Sequence, residues 1–410
     1  MDGGHRFNFA ARARGLLGSN IRGLLNAVPF DDVKGMIERI VAHASIWLEA
    51  IQGVNSWLYF DRRRAQKAIA DKVRAFFDEL MPTHPVELVV LYTHGWRTDF
   101  HNPDVDYDAD NRASNDHEYA IREACALAKT IARDASMVDS ALNRLSTSDA
   151  HAVFPFARRL AELANHPVAL FAKALQIAET RNEPANRQFF GGLIAGTDQR
   201  DPPKARDCVR AALQSPTLNN DAISMIGSGK LQPDDLGVVI SLLQSGDVEP
   251  SHCATLSYGR GLDRLSPEQI MPLLDELGRH GAKGHWAVLD IVSMYLHDGK
   301  PLSTVVAEKV KNTLRARDLF DDISRQTTDG YHLEQMTKLL LKQGKIDRKF
   351  ATALVKQLLS ICRLRKTEMF YAFDEPVRSV ITLVLASLES RLIAAKEHVA
   401  QPDQDKTPKR

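Results

Sequence analysis

The stretch Leu231-Gln-Pro-Asp-Asp-Leu-Gly-Val-Val-Ile-Ser-Leu-Leu decides the fold, because its apolar pattern returns at Leu265, Leu302 and Ile346. Counted from each starting residue, apolar or small side chains occupy positions +5, +8, +9 and +12, except for Lys311 at +9 of the third copy. This spacing places them on one face of an α-helix. A helix-sized unit that recurs along a chain is typical of a stacked helical repeat. The sequence therefore predicts an all-α fold.

The four starts lie 34, 37 and 44 residues apart, which leaves room for two helices and their turns in each interval. We predict the second helices at 251–258 and 285–296. The interval varies and the signature residues of tetratricopeptide and ankyrin repeats are missing, which argues against both of those families. Over about residues 150 to 398 the pattern resembles HEAT-like and armadillo-like α-solenoids. That resemblance implies a stack of irregular helical pairs with an extended surface for a partner.

One segment interrupts the helical pattern. The run Val86-Glu-Leu-Val-Val-Leu-Tyr-Thr is short, apolar and rich in β-branched residues, and it lies between Pro85 and Gly95. These properties are typical of a β-strand. We therefore predict an α-solenoid with one short strand-like insertion, divided into an N-terminal helical region at 1–85, the strand and an acidic polar loop at 86–117, the helical repeats at 118–400 and a disordered tail at 401–410.

Composition narrows the class of protein. Lys and Arg number 53 and Asp and Glu 52 among 410 residues, so no overall charge indicates a nucleic-acid or membrane partner. The four cysteines lie far apart without a Cys-x-x-Cys pair, which argues against a zinc site or a disulfide framework. No apolar run reaches the roughly 18 residues of a transmembrane helix. We predict a cytoplasmic protein without a transmembrane segment and without a cofactor.

The acidic loop is the first candidate site. Its carboxylates alternate along the chain as the ligands of a calcium loop do, at Asp104, Asp106, Asp108 and Asp110. The EF-hand template does not fit, because Ala109 stands where the turn needs Gly and Asn115 stands where the bidentate Glu belongs. Two interpretations stay open, a cation site of another kind and a solvated acidic loop. A transition-metal site is a further alternative, with the ligands His94, Asp99, His101 and His117.

Two basic clusters and one interface motif are the remaining candidates. Phosphate contacts are predicted for Arg62, Arg63, Arg64 and Lys67, or for Arg363, Arg365 and Lys366. Such a run is also typical of a solvated helix face or of pairing with acidic neighbours. Tyr258 and Arg260 belong to residue types that anchor protein interfaces, and they lie where two repeats meet. We predict that they contact a partner, and the alternative is that they belong to a packed loop between repeats.

No residue pattern specifies a reaction, so the functional prediction follows from the architecture. The sequence favours a non-enzymatic scaffold that binds another protein along a helical-repeat surface. The first alternative is a nucleic-acid-binding repeat protein that uses one of the basic clusters. The second alternative is a metal-dependent enzyme centred on residues 86–118.

Overall fold

A computed structural model describes residues 16–42, 47–95, 100–107, 118–181, 183–297, 299–321, 328–364, 382, 384–386 and 389. These residues are almost entirely helical and include no β-strand. They form two compact units, one that ends at Gly229 and one that begins at Lys230. No helix in the described ranges is both long enough and apolar enough to cross a membrane. The boundaries proposed from the sequence stay predictions.

The first unit begins with a small helical cluster in which α2, α3 and α4 all contact one another. The apolar faces of amphipathic helices form its core, because Val33 and Ile37 of α2 are buried, and so are Val73 and Phe77 of α4. The elements of this part are α1 (16–27), α2 (Phe30–Val41), α3 (Trp47–Phe60), the 3₁₀ turn η1 (Arg62–Arg64) and α4 (Lys67–Leu80).

The predicted strand is wrong, because Val86–Thr93 lies within helix α5 (Pro85–His94). Pro85 is the first residue of this helix, and the side chain of His84 caps it by accepting a hydrogen bond from the N–H of Val86 at 3.3 Å. Buried helices lose their polar face, so their composition is hard to tell from that of a strand. The helical spacing was nevertheless present, since Val86, Val89, Val90 and Thr93 are buried at i, i+3, i+4 and i+7.

The rest of the first unit is a stack of helical hairpins in two layers. One layer runs α5, α7, α9, α11 and the other runs α6, α8, α10, α12, and within each layer successive helices contact each other. Most consecutive helices of the chain also contact across the layers: α5 with α6, α6 with α7, and each successive pair from α8 to α12. The bounds are α6 (Tyr119–Ile131), α7 (Ala135–Leu145), α8 (Phe154–Leu163), α9 (Pro167–Arg181), α10 (Arg187–Arg200), α11 (Pro202–Gln214), the 3₁₀ turn η2 (Asn219–Asp221) and α12 (Ala222–Gly227).

The second unit has the same two-layer plan. One layer runs α13, α14, α16, and the other runs η3, α15, α17. Each unit is therefore an all-α, solenoid-like stack, as the sequence predicts. The bounds are α13 (Pro233–Ser245), the 3₁₀ helix η3 (Pro250–Arg264), α14 (Pro267–Leu277), α15 (Gly281–Tyr295), α16 (Thr304–Leu314), α17 (Thr328–Lys342) and α18 (Arg348–Leu364).

The repeated sequence pattern corresponds to the first helix of each pair. Leu231, Leu265, Leu302 and Ile346 are all buried, and helices α13, α14, α16 and α18 begin two residues after them. The residue between the buried residue and the helix is the N-cap. The Ser266 hydroxyl accepts a hydrogen bond from the N–H of Gln269, and the Ser303 hydroxyl accepts one from the N–H of Val306. The +5 position is then the fourth helical residue, and an apolar residue just before the cap paired with one there is a hydrophobic staple.

Three ion pairs between successive hairpins share one sequence interval. Lys173 bonds Asp139, Lys283 bonds Glu249 and Lys309 bonds Asp275, in each case 34 residues along the chain and at 2.5 to 2.9 Å. In all three pairs the carboxylate belongs to the earlier hairpin and the ammonium to the later one. Contacts one repeat apart are the arrangement expected when each repeat packs on its neighbours.

Helix η3 departs from the prediction, because 15 residues of 3₁₀ helix occupy the place of an α-helix. Runs of 3₁₀ longer than three or four residues are uncommon. The sequence accounts for this one, because its buried residues are separated by multiples of three: Pro250, Cys253, Leu256, Leu262 and the following Leu265 form one such row, and Ala254 and Ser257 are three residues apart as well. A spacing of three residues matches one turn of a 3₁₀ helix. In an α-helix, residues with this spacing would drift around the helix and away from the core.

Candidate functional site

The acidic segment at 100–107 is held against α3 by backbone-directed hydrogen bonds. The Asn55 amide donates to the carbonyl of His101 at 2.8 Å and accepts from the N–H of the same residue at 2.8 Å. The His101 ring stacks on Tyr59, with 4.0 Å between the ring centroids. Tyr107 donates its N–H to the carbonyl of Tyr59 at 2.8 Å. Because Asn55 is fully buried, these contacts fix the segment to the core of the first unit.

The predicted nucleic-acid cluster and the predicted cation loop pair with each other. Arg62 contacts Asp106 at 2.6 Å and donates to the carbonyl of Pro103 at 2.7 Å. Arg63 contacts the second oxygen of Asp106 at 3.0 Å. Asp104 pairs with Arg74 of α4. A phosphate at Arg62 and Arg63 would have to displace Asp106, and a cation at Asp106 would have to displace both guanidinium groups.

The other members of these two predicted sites are dispersed. Arg64 and Lys67 are exposed, and Lys67 pairs with Asp71 one turn along α4 at 3.1 Å. Asp108 and Asp110 lie outside the described residues. So do Arg365 and Lys366 and the side chain of Arg363.

A second arginine–carboxylate pair lies beside this cluster. Arg22 of α1 donates two hydrogen bonds to the buried Asp61, and its guanidinium lies 4.5 Å from the centre of the Phe60 ring. Burial alone would raise the pKa of Asp61, but hydrogen bonds from Arg22 and Asn26 outweigh it and lower the pKa. The carboxylate is thus stabilised in its charged form. This pair ties α1 to the end of α3.

Two of the histidines proposed as metal ligands, His94 and His101, contact different partners. His94 lies 3.3 Å from the carboxylate of the buried Glu49 and 3.8 Å from that of Asp149, whereas His101 stacks on Tyr59. Asp99 and His117 lie outside the described residues. Among the residues that the structure describes, no His, Cys, Asp and Glu side chains are grouped to hold a metal ion.

The predicted partner contacts and two buried cysteines lie in helices. Tyr258 and Arg260 belong to η3, but their side chains fall outside the described part of the structure. Burial raises the pKa of the Cys208 thiol and of the Cys253 thiol to about 12. Both thiols therefore stay protonated at neutral pH, which makes them poor nucleophiles.

The side of α13, α14 and α16 that faces away from the core carries two residues that disfavour a helix. A Cβ added at Gly237 in α13 would meet no atom within 4 Å, so internal packing does not require glycine there. Glycine in a helix costs about 1 kcal/mol relative to alanine. Pro272 lies inside α14, is exposed, and has no N–H for the carbonyl of Glu268. A proline in a helix interior costs about 3 kcal/mol.

Exposed apolar side chains lie beside these two residues. Val238 is 42% exposed and Val305 is 48% exposed. We call the surface defined by Gly237, Val238, Pro272 and Val305 the outer face. This surface was not predicted from the sequence, although an unfavourable Gly and Pro at neighbouring repeat positions indicate it.

Polar contacts fix the register of the helices that form the outer face. Gln244 of α13 bonds Glu276 of α14 at 3.0 Å, and Lys309 of α16 bonds Asp275 of α14 at 2.9 Å. Pro272 precedes Asp275 by about one turn, and Val305 precedes Lys309 by about one turn. Pro272 and Val305 therefore lie at the same height on adjacent helices, with Gly237 and Val238 within about one further turn on α13.

The outer face is acidic as well as apolar. Helices α13 and α14 carry five carboxylates and no Lys or Arg, at Asp234, Asp235, Glu268, Asp275 and Glu276. Asp234 and Glu268 are exposed in the first turn, where the helix dipole favours negative charge. Glu276 is buried, and hydrogen bonding from Gln244, followed by the charge of Arg279, lowers its pKa. The face therefore combines open apolar contacts with net negative charge.

Comparison with known proteins gives no family for this chain. No family model matches it, and no curated protein matches it. Among solved structures, a protein described as a circular tandem repeat protein with novel repeat topology and enhanced subunit contact surfaces is 12% identical, with 94% of this chain and 99% of that chain covered. Its TM-score is 0.25. We draw nothing about this chain from so distant a similarity.

Proposed function

We propose that this chain is a non-enzymatic scaffold that binds another protein along its stacked helical hairpins. The observation that carries the proposal is the one-repeat interval of the contacts Lys283 to Glu249 and Lys309 to Asp275 in the second unit. Such contacts hold equivalent helices side by side, so that their outward faces form one continuous surface. Continuous surfaces of this kind are what repeat proteins use to bind extended partners.

The polar clusters support a structural assignment over a catalytic one. Asp106 is shared by Arg62 and Arg63, and Asn55 is used on both sides by the backbone of His101. These groups connect α3, η1 and the 100–107 segment, and their hydrogen-bonding capacity is taken up inside the fold. For the same reason we do not put forward nucleic-acid binding at Arg62 and Arg63.

We further propose that the hairpins are HEAT-like or armadillo-like and that the protein works in the cytoplasm. The unequal repeat intervals and the two-layer hairpins support the first proposal. The second is supported by Cys125, Cys208 and Cys253, all of which are free thiols. Free buried thiols are usual in proteins of a reducing compartment.

The test is a binding experiment with the full chain. Immobilised wild-type protein is incubated with nuclease-treated lysate of its source cells, beside the variant Leu274→Asp, which places a charge at a fully buried position of α14. We expect the wild type to retain one protein in near-stoichiometric amount at high salt, and the variant to lose it. Absence of any stoichiometric protein would overturn the proposal. In a parallel incubation with untreated lysate, retention of nucleic acid that falls steeply with salt would support the alternative.

A further inference from the structure

The outer face contains two residues whose cost the fold itself does not explain. Where glycine is required by packing the reason is visible, as at Gly192 in α10, where a Cβ would lie 2.5 Å from the carbonyl oxygen of Phe154. At Gly237 the corresponding space is open. An open helical glycine alone is not a site, because Gly35 of α2 is equally open, but Pro272 is a second unfavourable residue on the same face as Gly237. Natural sequences retain residues that disfavour their own secondary structure chiefly at functional surfaces.

The chemistry of the face defines what it could bind. Gly237 lets a partner approach the backbone of α13 closely, because no side chain stands in the way. Val238 and Val305 offer apolar contacts on either side of Pro272. The carboxylates of α13 and α14 have no Lys or Arg on the same two helices. Asp275 is paired with Lys309 of α16 and the buried Glu276 with Arg279, whereas Asp234 and Glu268 are exposed. A partner with apolar side chains flanked by positive charges is complementary to this arrangement.

We propose that the outer face docks a basic, amphipathic segment of the partner protein. The inference rests on the proposed scaffold function and adds the chemical class of the partner. The apolar side of the segment packs across Val238, Pro272 and Val305, and its Lys or Arg side chains lie near Asp234 and Glu268. Recognition of an amphipathic segment uses apolar anchors for affinity and charges for orientation.

The experiment measures binding of three synthetic peptides to the full chain by fluorescence anisotropy. The first peptide is a Leu/Lys amphipathic helix, the second is its Leu/Glu counterpart, and the third is a Lys/Ser peptide with the charge of the first but no apolar side. We expect the Leu/Lys peptide to bind, the Leu/Glu peptide not to bind, and the Lys/Ser peptide to bind at least about tenfold more weakly. Equal binding of all three, or of the two basic peptides, would overturn the inference.

Variants locate the binding. Gly237→Leu fills the open space with a better helix former, so we expect it to fold like the wild type and to weaken Leu/Lys binding by about tenfold or more. Val305→Ser should have the same effect through loss of an apolar contact. The matched control is Ile69→Ser, at an exposed apolar residue of α4 in the first unit, which should leave binding unchanged. Unchanged binding in Gly237→Leu and Val305→Ser would show that the peptide binds elsewhere.

The lysate experiment separates failure of this inference from failure of the scaffold function. If the full chain retains a stoichiometric partner and Gly237→Leu retains it equally well, the scaffold stands and the outer face is not its docking surface. If the wild-type chain retains no partner, the proposed function fails. If Gly237→Leu and Val305→Ser lose the partner while Ile69→Ser keeps it, the outer face is the docking surface.

Discussion

We expect Gly196→Ala to destabilise the first unit, although alanine is the better helix former. A Cβ at Gly196 would lie 2.1 Å from the carbonyl oxygen of Arg158 and 2.8 Å from the Cβ of Ala161, both in α8. Carbon atoms are at their best separation near 3.5 to 4.0 Å, so α8 and α10 would have to separate by about 1 Å. The obstacle is backbone, which cannot rotate away as a side chain can.

The size of the effect follows from this geometry. Separating two packed helices by 0.5 to 1 Å loses about a quarter to a half of the dispersion energy of the contacts between them. The loss falls on fully buried side chains, among them Phe156, Phe189 and Phe190. Overpacking of a core costs about 1 to 3 kcal/mol, and backbone contact places this case near the upper value. Alanine returns up to about 1 kcal/mol of helix propensity, so we expect a net loss of about 2 kcal/mol.

The assay is urea unfolding of the full chain followed by far-UV circular dichroism. The matched control is Gly35→Ala in α2, also in the first unit, where a Cβ meets no atom within 4 Å. This variant should gain about 0.5 to 1 kcal/mol. The two variants should therefore shift the same transition in opposite directions with unchanged slope. A midpoint for Gly196→Ala at or above that of the wild type would refute the close contact between α8 and α10.

Three further changes test other parts of the structure. Asn55→Ala leaves the N–H and the carbonyl of His101 buried without their 2.8 Å partners, and we expect a loss of about 2 to 4 kcal/mol in urea unfolding. Ser266→Ala removes the cap and the capping box of α14 and should cost about 1 kcal/mol by the same measurement. Burial lowers the pKa of His332 in the folded chain, so the unfolded chain binds a proton more readily. The free energy of unfolding should therefore be highest above about pH 6.5 and should fall as the pH drops from that value toward the folded pKa. A His332→Gln variant should lose that part of the pH dependence between pH 7.5 and 5, and identical pH profiles for the two chains would contradict the lowered pKa.

The parts of the fold that could be predicted are those fixed by local pattern. The helices after Leu231, Leu265, Leu302 and Ile346 follow from an apolar residue, a cap and a stripe, all within about a dozen residues. Only Lys311 breaks the stripe, and the structure keeps this side chain largely buried with its ammonium group 2.8 Å from Glu308. Local signals suffice here because each repeat needs only its own stripe and that of its neighbours.

The two errors in the predicted secondary structure arise where the spacing of the apolar residues was not considered separately from the residue types of the segment. Residues 86–93 are apolar enough for a strand, but their buried positions have the helical spacing. The segment from Pro250 to Leu265 has a period of three, which distinguishes a 3₁₀ helix from an α-helix. In both segments the spacing of the buried residues, which is present in the sequence, predicts the observed element better than propensity does.

The predicted sites stayed open for a different reason, since charges distant in sequence neutralise each other in the fold. The basic run at Arg62 and the acidic run at Asp104 were separate candidate sites in the sequence, yet Asp106 contacts both Arg62 and Arg63. A charge run therefore indicates a binding site only where the fold leaves it without a counter-charge. Helices α13 and α14 come closer to that condition, because their carboxylates have no Lys or Arg within either helix and those at Asp234 and Glu268 are exposed. This difference, together with the unfavourable Gly237 and Pro272, is why the outer face is the stronger candidate for binding a partner.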